Sequence, residues 1–350
     1  MRFDGDIARR PEAQDGTSFR PQFDTPGEPG VTSLDRLVGN TPLVELTRLD
    51  TGPCRLFAKL ESCNPSGSIK DRIAAGMIDA AACSGRLAPG GTIVEATAGN
   101  TGLALAQIGL LKGYRTLCVV PDKMSAEKIQ HLRALGAEVC VARSDVDGGH
   151  PEHYMNLART LADRLDGGCF LDQFSNPHNP LAHERTTGPE ILAQMGGDVD
   201  AVVVGVGSGG TLTGVGRAFR SCSPKTQIVL ADPQGSSLAA IVEGRKPVSA
   251  QPWLVEGIGA DAVPPNADLS LVSQAITISD RESVMSARLL LSREGILAGS
   301  SSGTLLAAAL EYCGRQRTPK RVVTLVCDTG SRYFSKIFND GWLAQRGWLS

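Results

Sequence analysis

Short runs of apolar, often β-branched residues alternate along the chain with longer stretches whose apolar positions recur at helical spacing. Leu56 to Leu60 precedes Ile69 to Cys83, Thr92 to Ala96 precedes Leu103 to Leu111, and Thr116 to Val120 precedes Glu127 to Leu135. The first kind has strand character and the second helix character. The rhythm continues through Glu138 to Ala142, a helix within Glu152 to Leu165, Ala201 to Val206, Leu212 to Ser221, Gln227 to Ala231 and Val322 to Val326. Near-continuous apolar strands separated by helices predict a parallel sheet covered on both faces, hence a doubly wound α/β architecture. Residues 1–30 are rich in Pro, Gly and charge and read as a disordered arm, and Gly244 to Trp253 reads as a loop. The chain carries no internal repeat or low-complexity tract.

Composition narrows the classes of function. The 350 residues suffice for two domains, or one with a lobe, and 41% hydrophobic against 21% charged excludes disorder throughout. With 35 basic and 37 acidic side chains the formal charge is -2, which offers no footprint for nucleic acid. No apolar run is long enough to span a bilayer, and the polar N-terminus lacks the apolar core of a secretory signal. A cytoplasmic protein without nucleic-acid or membrane partners is expected. The nine cysteines form no C-x-x-C pair or zinc pattern and read mostly as reduced, buried small hydrophobes. The five histidines show no metal-type pairing on a helix and read as surface or local hydrogen-bonding residues, so no metal is expected. Forty glycines without a period point to loops where backbone approaches a ligand.

Four segments carry candidate chemistry. Gly205-Val206-Gly207-Ser208-Gly209-Gly210 follows a strand, opens a helix and satisfies G-x-G-x-x-G, with Asp232 ending the next strand. A dinucleotide site, and with it a nicotinamide-dependent dehydrogenase, is one reading. The physics requires only an anion, since converging N–H groups and a helix dipole suit a single phosphate equally. In Asn64 to Arg72, turn residues lead into a helix with Lys70 in its first turn. A cation at the positive end of a helix is disfavoured, so Lys70 is either solvated or kept for its amine. Glu95 to Gly102 is a strand running into a helix whose donors and threonines suit a carboxylate, although Asn100 or Thr101 could simply be an N-cap. Ala298 to Gly303 places three serines before the helix Thr304 to Tyr312, and capping explains one of them.

Together these segments resemble the fold-type II pyridoxal-phosphate enzymes, in the branch of cysteine synthase and cystathionine β-synthase. The resemblance runs from about Leu34 to Leu349. It rests on Val38 to Leu43, Asn64 to Arg72, Thr97 to Gly102, Asp172-Gln173-Phe174, Gly207 to Thr211, Glu256 to Gly259, the serine cluster and Cys327 to Tyr333, in the family's order. It implies two doubly wound α/β lobes with the cofactor between them. Residues 31–75 and 177–350 would form the larger, cofactor-binding lobe and 76–176 a smaller, mobile, substrate-binding lobe. By the same resemblance Lys70 joins pyridoxal 5'-phosphate through a Schiff base, and Asn100 bonds the cofactor's 3-oxygen. Gly207, Ser208, Gly209, Gly210 and Thr211 hold its phosphate, and Ser301 faces the pyridine nitrogen. Thr97, Ala98, Gly99, Thr101, Gln173 and Gly257 form the substrate site.

A neutral hydroxyl at the pyridine nitrogen leaves the ring a shallower electron sink than a carboxylate would, which favours β-elimination followed by addition of a nucleophile. The expected reaction is β-replacement on an activated serine, O-acetylserine foremost, with sulfide or homocysteine. An amine nucleophile, as in diaminopropionate-type synthases, is the alternative. Ala98 stands where many relatives have serine, and Ala260 and Phe174 where animal cystathionine β-synthases have tyrosines. Val255 to Gly259 and Phe338 to Trp342 look more like the cystathionine branch. Residues 1–53 contain neither Cys nor His, so no haem is expected. The end at Ser350 predicts a constitutive core without a regulatory module, acting on small amino-acid and thiol substrates as a homodimer.

Overall fold

The computed structural model describes residues 33–97, 99–246 and 251–349. The arm expected over 1–30 lies outside them, as does Ala98. Among the described residues ten strands form two sheets. Their bounds are β1 Leu43–Glu45, β2 Arg55–Leu60, β3 Thr92–Ala96, β4 Arg115–Pro121, β5 Glu138–Ala142, β6 Gly168–Phe170, β7 Ala201–Val204, β8 Gln227–Pro233, β9 Gln274–Ile278 and β10 Arg321–Val326. The larger sheet has the order β1-β2-β10-β7-β8-β9 and the smaller β5-β4-β3-β6. Every pairing is parallel except that of β1 with β2, so the parallel sheet read from the sequence acquires one antiparallel edge strand. The short strands β1, β6 and β9 were not expected.

Burial follows the alternation of side chains along each strand. In β3, Ile93 packs with Leu105 and Ile108 of the helix Asn100–Leu111, while Val94 packs with Ala158 and Ala162 of the helix Tyr154–Arg164. Successive residues face opposite sides, so a helix layer covers each face of the smaller sheet. The larger sheet buries the fully apolar β7 in a core shared with the helix Ser300–Gly314. Three helices that open the site described next follow β2, β3 and β7, and the fourth, Ser300–Gly314, starts beside the end of β10, where Gly299 N–H donates to Asp328 O. The C-terminal ends of strands are where open α/β sheets bind ligands. Of the nine cysteines, Cys54, Cys118, Cys169 and Cys313 are buried, whereas Cys63, Cys83 and Cys222 are exposed. Burial therefore accounts for fewer of them than expected. Among the described residues no helix is long and apolar enough to cross a membrane.

Candidate active site

The chain leaves β2, turns at Asn64 to Gly67 and enters the helix Lys70–Cys83. The turn is tied to the end of β10, because Ile69 N–H donates to Cys327 O at 2.8 Å and Thr329 N–H to Gly67 O at 3.0 Å. Lys70 is thereby held at the wall of a cavity also lined by Asn100, Gly207 to Thr211, Gly257, Ser301 and Cys327. It is not a solvated surface lysine. Burial pushes its amine pKa down, opposed by the nearby acidic groups of Cys327 and Asp328. Burial also pushes the Cys327 thiol up to about 12, so Cys327 stays a neutral neighbour. Two residues after Lys70, the buried Arg72 guanidinium donates to Glu61 at 2.6 Å and to Glu190 at 2.7 Å, and Lys59 Nζ reaches Glu190 at 2.7 Å. This network fixes the start of the lysine helix.

After β7 the loop 205–209 delivers the helix Gly210–Cys222, whose first turn has no side-chain cap. Its free N–H groups face the cavity that holds Lys70. Glycine is required here. Gly209 adopts φ +91°, and a Cβ on it would stand 2.5 Å from Ala267 N. A Cβ on Gly207 would stand 2.2 Å from Gly257 O. Thr211 Oγ1 meets His183 Nε2 at 3.2 Å, and His183 Nδ1 meets Thr187 Oγ1 at 2.8 Å. Burial holds this histidine neutral, with a pKa well below the usual range. Asn179 donates to Ser208 Oγ at 2.9 Å. The sequence offered no sign that His183 and Asn179 support the loop, because both lie on the helix His178–Arg185, which the helical periodicity did not reveal.

The other two loops are uncapped as well, which overturns the capping readings. The helix Asn100–Leu111 starts behind Gly99, and neither Asn100 nor Thr101 caps it. The helix Ser300–Gly314 starts at the serines themselves. Ser300 Oγ accepts from Glu256 N–H at 3.0 Å, Ser302 Oγ accepts from Cys327 N–H at 2.9 Å, and Ser301 lines the cavity. Asn100 Nδ2 donates to Asp328 at 2.8 Å and its Oδ1 accepts from Arg332, so one N–H of its amide remains for a ligand. Thr97, Gln173, Phe174 and Gly257 line an adjoining cavity of about 560 Å³. Thr101 is buried and reaches this group through its hydroxyl, which donates to Gln173 Oε1 at 2.7 Å.

A third cavity, of about 650 Å³, opens from Gly99, Asn100 and Gly257 and is lined by Lys123, Lys128, Arg332, Lys336, Glu127 and Glu256. Glu256 bonds Lys128 at 2.6 Å and Lys336 at 2.7 Å. Burial opposes its ionisation, but the two ammonium groups outweigh it and keep the carboxyl below its usual range. Asp232 does not serve a dinucleotide ribose: it is buried, and its Oδ2 accepts from Ala239 N–H at 2.8 Å at the start of the helix Leu238–Val242.

One cavity thus unites a lysine with a depressed pKa, a neutral hydroxyl and an uncapped glycine-flanked helix end. Pyridoxal phosphate needs an amine for its aldehyde, a partner for its ring nitrogen and N–H donors for its phosphate, and these residues fit it.

Over residues 34–328 the chain matches the family model described as pyridoxal-phosphate dependent enzyme. It is 40% identical to the cystathionine β-synthase of Rattus norvegicus over 317 residues, covering 90% of this chain and 56% of that protein. It is 44% identical to cysteine synthase 3 of Caenorhabditis elegans over 308 residues, covering 87% of this chain and 88% of that protein. The crystal structure of O-ureido-L-serine synthase superposes with a TM-score of 0.81 at 34% identity, over 90% of this chain and all of that one. The chain therefore spans little more than half the length of the rat relative.

Proposed function

Since the chain belongs to the pyridoxal-phosphate dependent enzymes, we propose that it catalyses β-replacement on an activated serine, with O-acetylserine foremost and homocysteine as the nucleophile. The observation that carries this reading is the shared cavity of Lys70, Ser301 and the uncapped helix Gly210–Cys222. When bound, pyridoxal phosphate supplies a ring that withdraws electron density from the substrate's Cα. The remaining work falls to side chains. An amine whose pKa is lowered by burial is better able to bond an aldehyde carbon and, when free, to accept the Cα proton, so Lys70 is the anchor and the base. Ser301 presents a neutral hydroxyl where a carboxylate would deepen the electron sink, which favours expulsion of the β-substituent. Gln173 and Thr97, on the cavity beside the Lys70 cavity, suit the substrate carboxylate.

The cavity of about 650 Å³ supports homocysteine over sulfide. Hydrogen sulfide is close to water in size, and a water occupies only about 30 Å³. Lys128 and Lys336 pair with Glu256, but the lining also offers Lys123 for a carboxylate and Glu127 for an ammonium, which is the charge pattern of a zwitterionic amino acid. An amine nucleophile is the second reading; the structural likeness to O-ureido-L-serine synthase, whose named product is joined through oxygen, supports only a nucleophile other than a thiol. The deciding experiment pairs serine, O-acetylserine and O-phosphoserine with sulfide, homocysteine and amino acids and identifies the products. Cystathionine from O-acetylserine and homocysteine is expected, and formation of cysteine or an amine adduct alone would overturn the assignment.

A further inference from the structure

The strand β3 reads Thr-Ile-Val-Glu-Ala, and all five residues are buried. Glu95 is fully buried, two residues from Ile93 on the same face of the sheet. An acid in such a place either has a partner or stays neutral. Glu95 Oε1 accepts from Ala96 N–H at 3.1 Å, and Oε2 has no partner among the described residues. Around it stand Cys118 of β4, Tyr154 of the helix Tyr154–Arg164, and Asp172, whose carboxylate also meets Arg159 at 3.4 Å. None of these is a cation facing Glu95.

The same carboxyl lies under two site loops. Ala96, whose N–H it accepts, leads directly into Thr97. On the other side β6 pairs with β3 through Phe170 and Val94, and Leu171 N–H donates to Val94 O at 3.2 Å, which brings the Asp172–Gln173 turn alongside Glu95. Asp172 has φ +53°, a left-handed conformation that strains a non-glycine residue. Directly after it Gln173 receives the Thr101 hydroxyl on its side chain and the Asn179 and Asn266 amides on its backbone oxygen. We propose that Glu95 is a positioning residue that holds the Asp172–Gln173 turn and the Thr97–Thr101 loop in register from below, and so sets the grip on the substrate carboxylate.

The function of this register rests on the β-replacement reading, but the register itself does not. Burial, with Asp172 adding to it, raises the Glu95 carboxyl to about 8, so it is protonated at neutral pH. Above that it becomes a buried anion beside Asp172, and the turn loosens. Because the folded-state pKa is raised, the stability Glu95 contributes is complete below 4.5 and is lost as pH rises through about 8.

The test compares the wild-type holoenzyme with Glu95→Gln, which mimics the protonated acid, and Glu95→Ala. Between pH 7 and about 9.5 the wild-type KM for the amino-acid substrate should rise at least about fivefold with a smaller change in kcat, and that of Glu95→Gln should stay level. Hydrogen exchange at residues 171–176, corrected for its intrinsic pH dependence, should accelerate over the same range in the wild type alone. At neutral pH Glu95→Ala should exchange faster in both loops, with Glu95→Gln restoring protection. A pH dependence shared by wild type and Glu95→Gln, or unchanged exchange in the wild type above pH 8, would overturn the assignment. Absence of β-replacement with intact exchange behaviour would sink the functional reading and leave the positioning role standing.

Discussion

At Lys70 two effects act in the same direction. The start of a helix disfavours a positive charge, and burial disfavours it further. Burial raises the Cys327 thiol to about 12 and also raises the Asp328 carboxyl, which weakens their hold on the ammonium form and suits the amine to the nucleophile and base role proposed for it. Lys70→Ala should therefore abolish the visible absorbance that pyridoxal phosphate acquires on binding and lower β-replacement by at least about a hundredfold. Absorbance spectroscopy and steady-state rates check this, and near-native turnover would remove Lys70 from the role. In the sequence the helix-start position left Lys70 either solvated or kept for its amine, and the role proposed for it came from the resemblance of the whole set of motifs. Glu95 was visible there only as an acid in an apolar run, and its meaning came from what the fold places around it.

Among the elements, the loop between β7 and the helix Gly210–Cys222 is held open by glycine. Gly209→Ala should cost about 1–2 kcal/mol for the left-handed backbone alone, and more for the contact with Ala267. Gly257 also has positive φ, +88°, but nothing stands within 4 Å of a Cβ there. Gly257→Ala therefore isolates the conformational cost, and the difference between the two variants in urea unfolding measures the steric one. Cofactor titration should show weaker binding for Gly209→Ala. The lysine helix depends on a different device, the Arg72 cluster with Glu61 and Glu190. Arg72→Ala leaves the buried Glu61 carboxylate without a cation, and Glu190 with Lys59 alone, and should destabilise the fold by about 3–5 kcal/mol.

For the molecule as a whole, that cluster also sets the behaviour in acid. Burial would raise the Glu190 carboxyl, but the Arg72 guanidinium and the Lys59 ammonium outweigh it and hold it at about 2, against 4.5 unperturbed. A depressed folded-state pKa contributes stability that is present above 4.5 and is lost as pH falls through about 2. Thermal unfolding across that window should show the decline, and Glu190→Gln should be less stable at neutral pH and flatter in acid. At the same scale we propose that 76–176 forms a smaller, mobile lobe that closes over the substrate, since the loop proposed for the substrate carboxylate follows β3 and the glycine loop follows β7, in different sheets. A ligand held by both sides favours the closed form. Thr97→Ala should raise KM and increase pyruvate release by hydrolysis, and crystal structures with and without bound substrate that superpose without displacement of 76–176 would exclude closure.

What the chain determined by itself was local. Apolar runs between helical stretches specified most strands to within a residue or two, since a strand buried on both faces needs continuous apolar residues. The helix Asp280–Glu294 was also within reach, through the capping box of Ser279 and Glu282. The three-residue strands β1 and β6 were not, since so few residues define no period, and they exist because β2 and β3 offer them free edges. The motifs marked where ligands approach backbone, but glycines and serines before a helix have the same local chemistry whether they cap it or leave it open. Only the tertiary structure decided that these helix ends are uncapped, that Asp232 is committed to a neighbouring helix, and that His183 and Glu95 stand behind the site. Each of those roles depends on groups distant in sequence, brought together by packing and desolvated there, and desolvation is a property of the assembled fold.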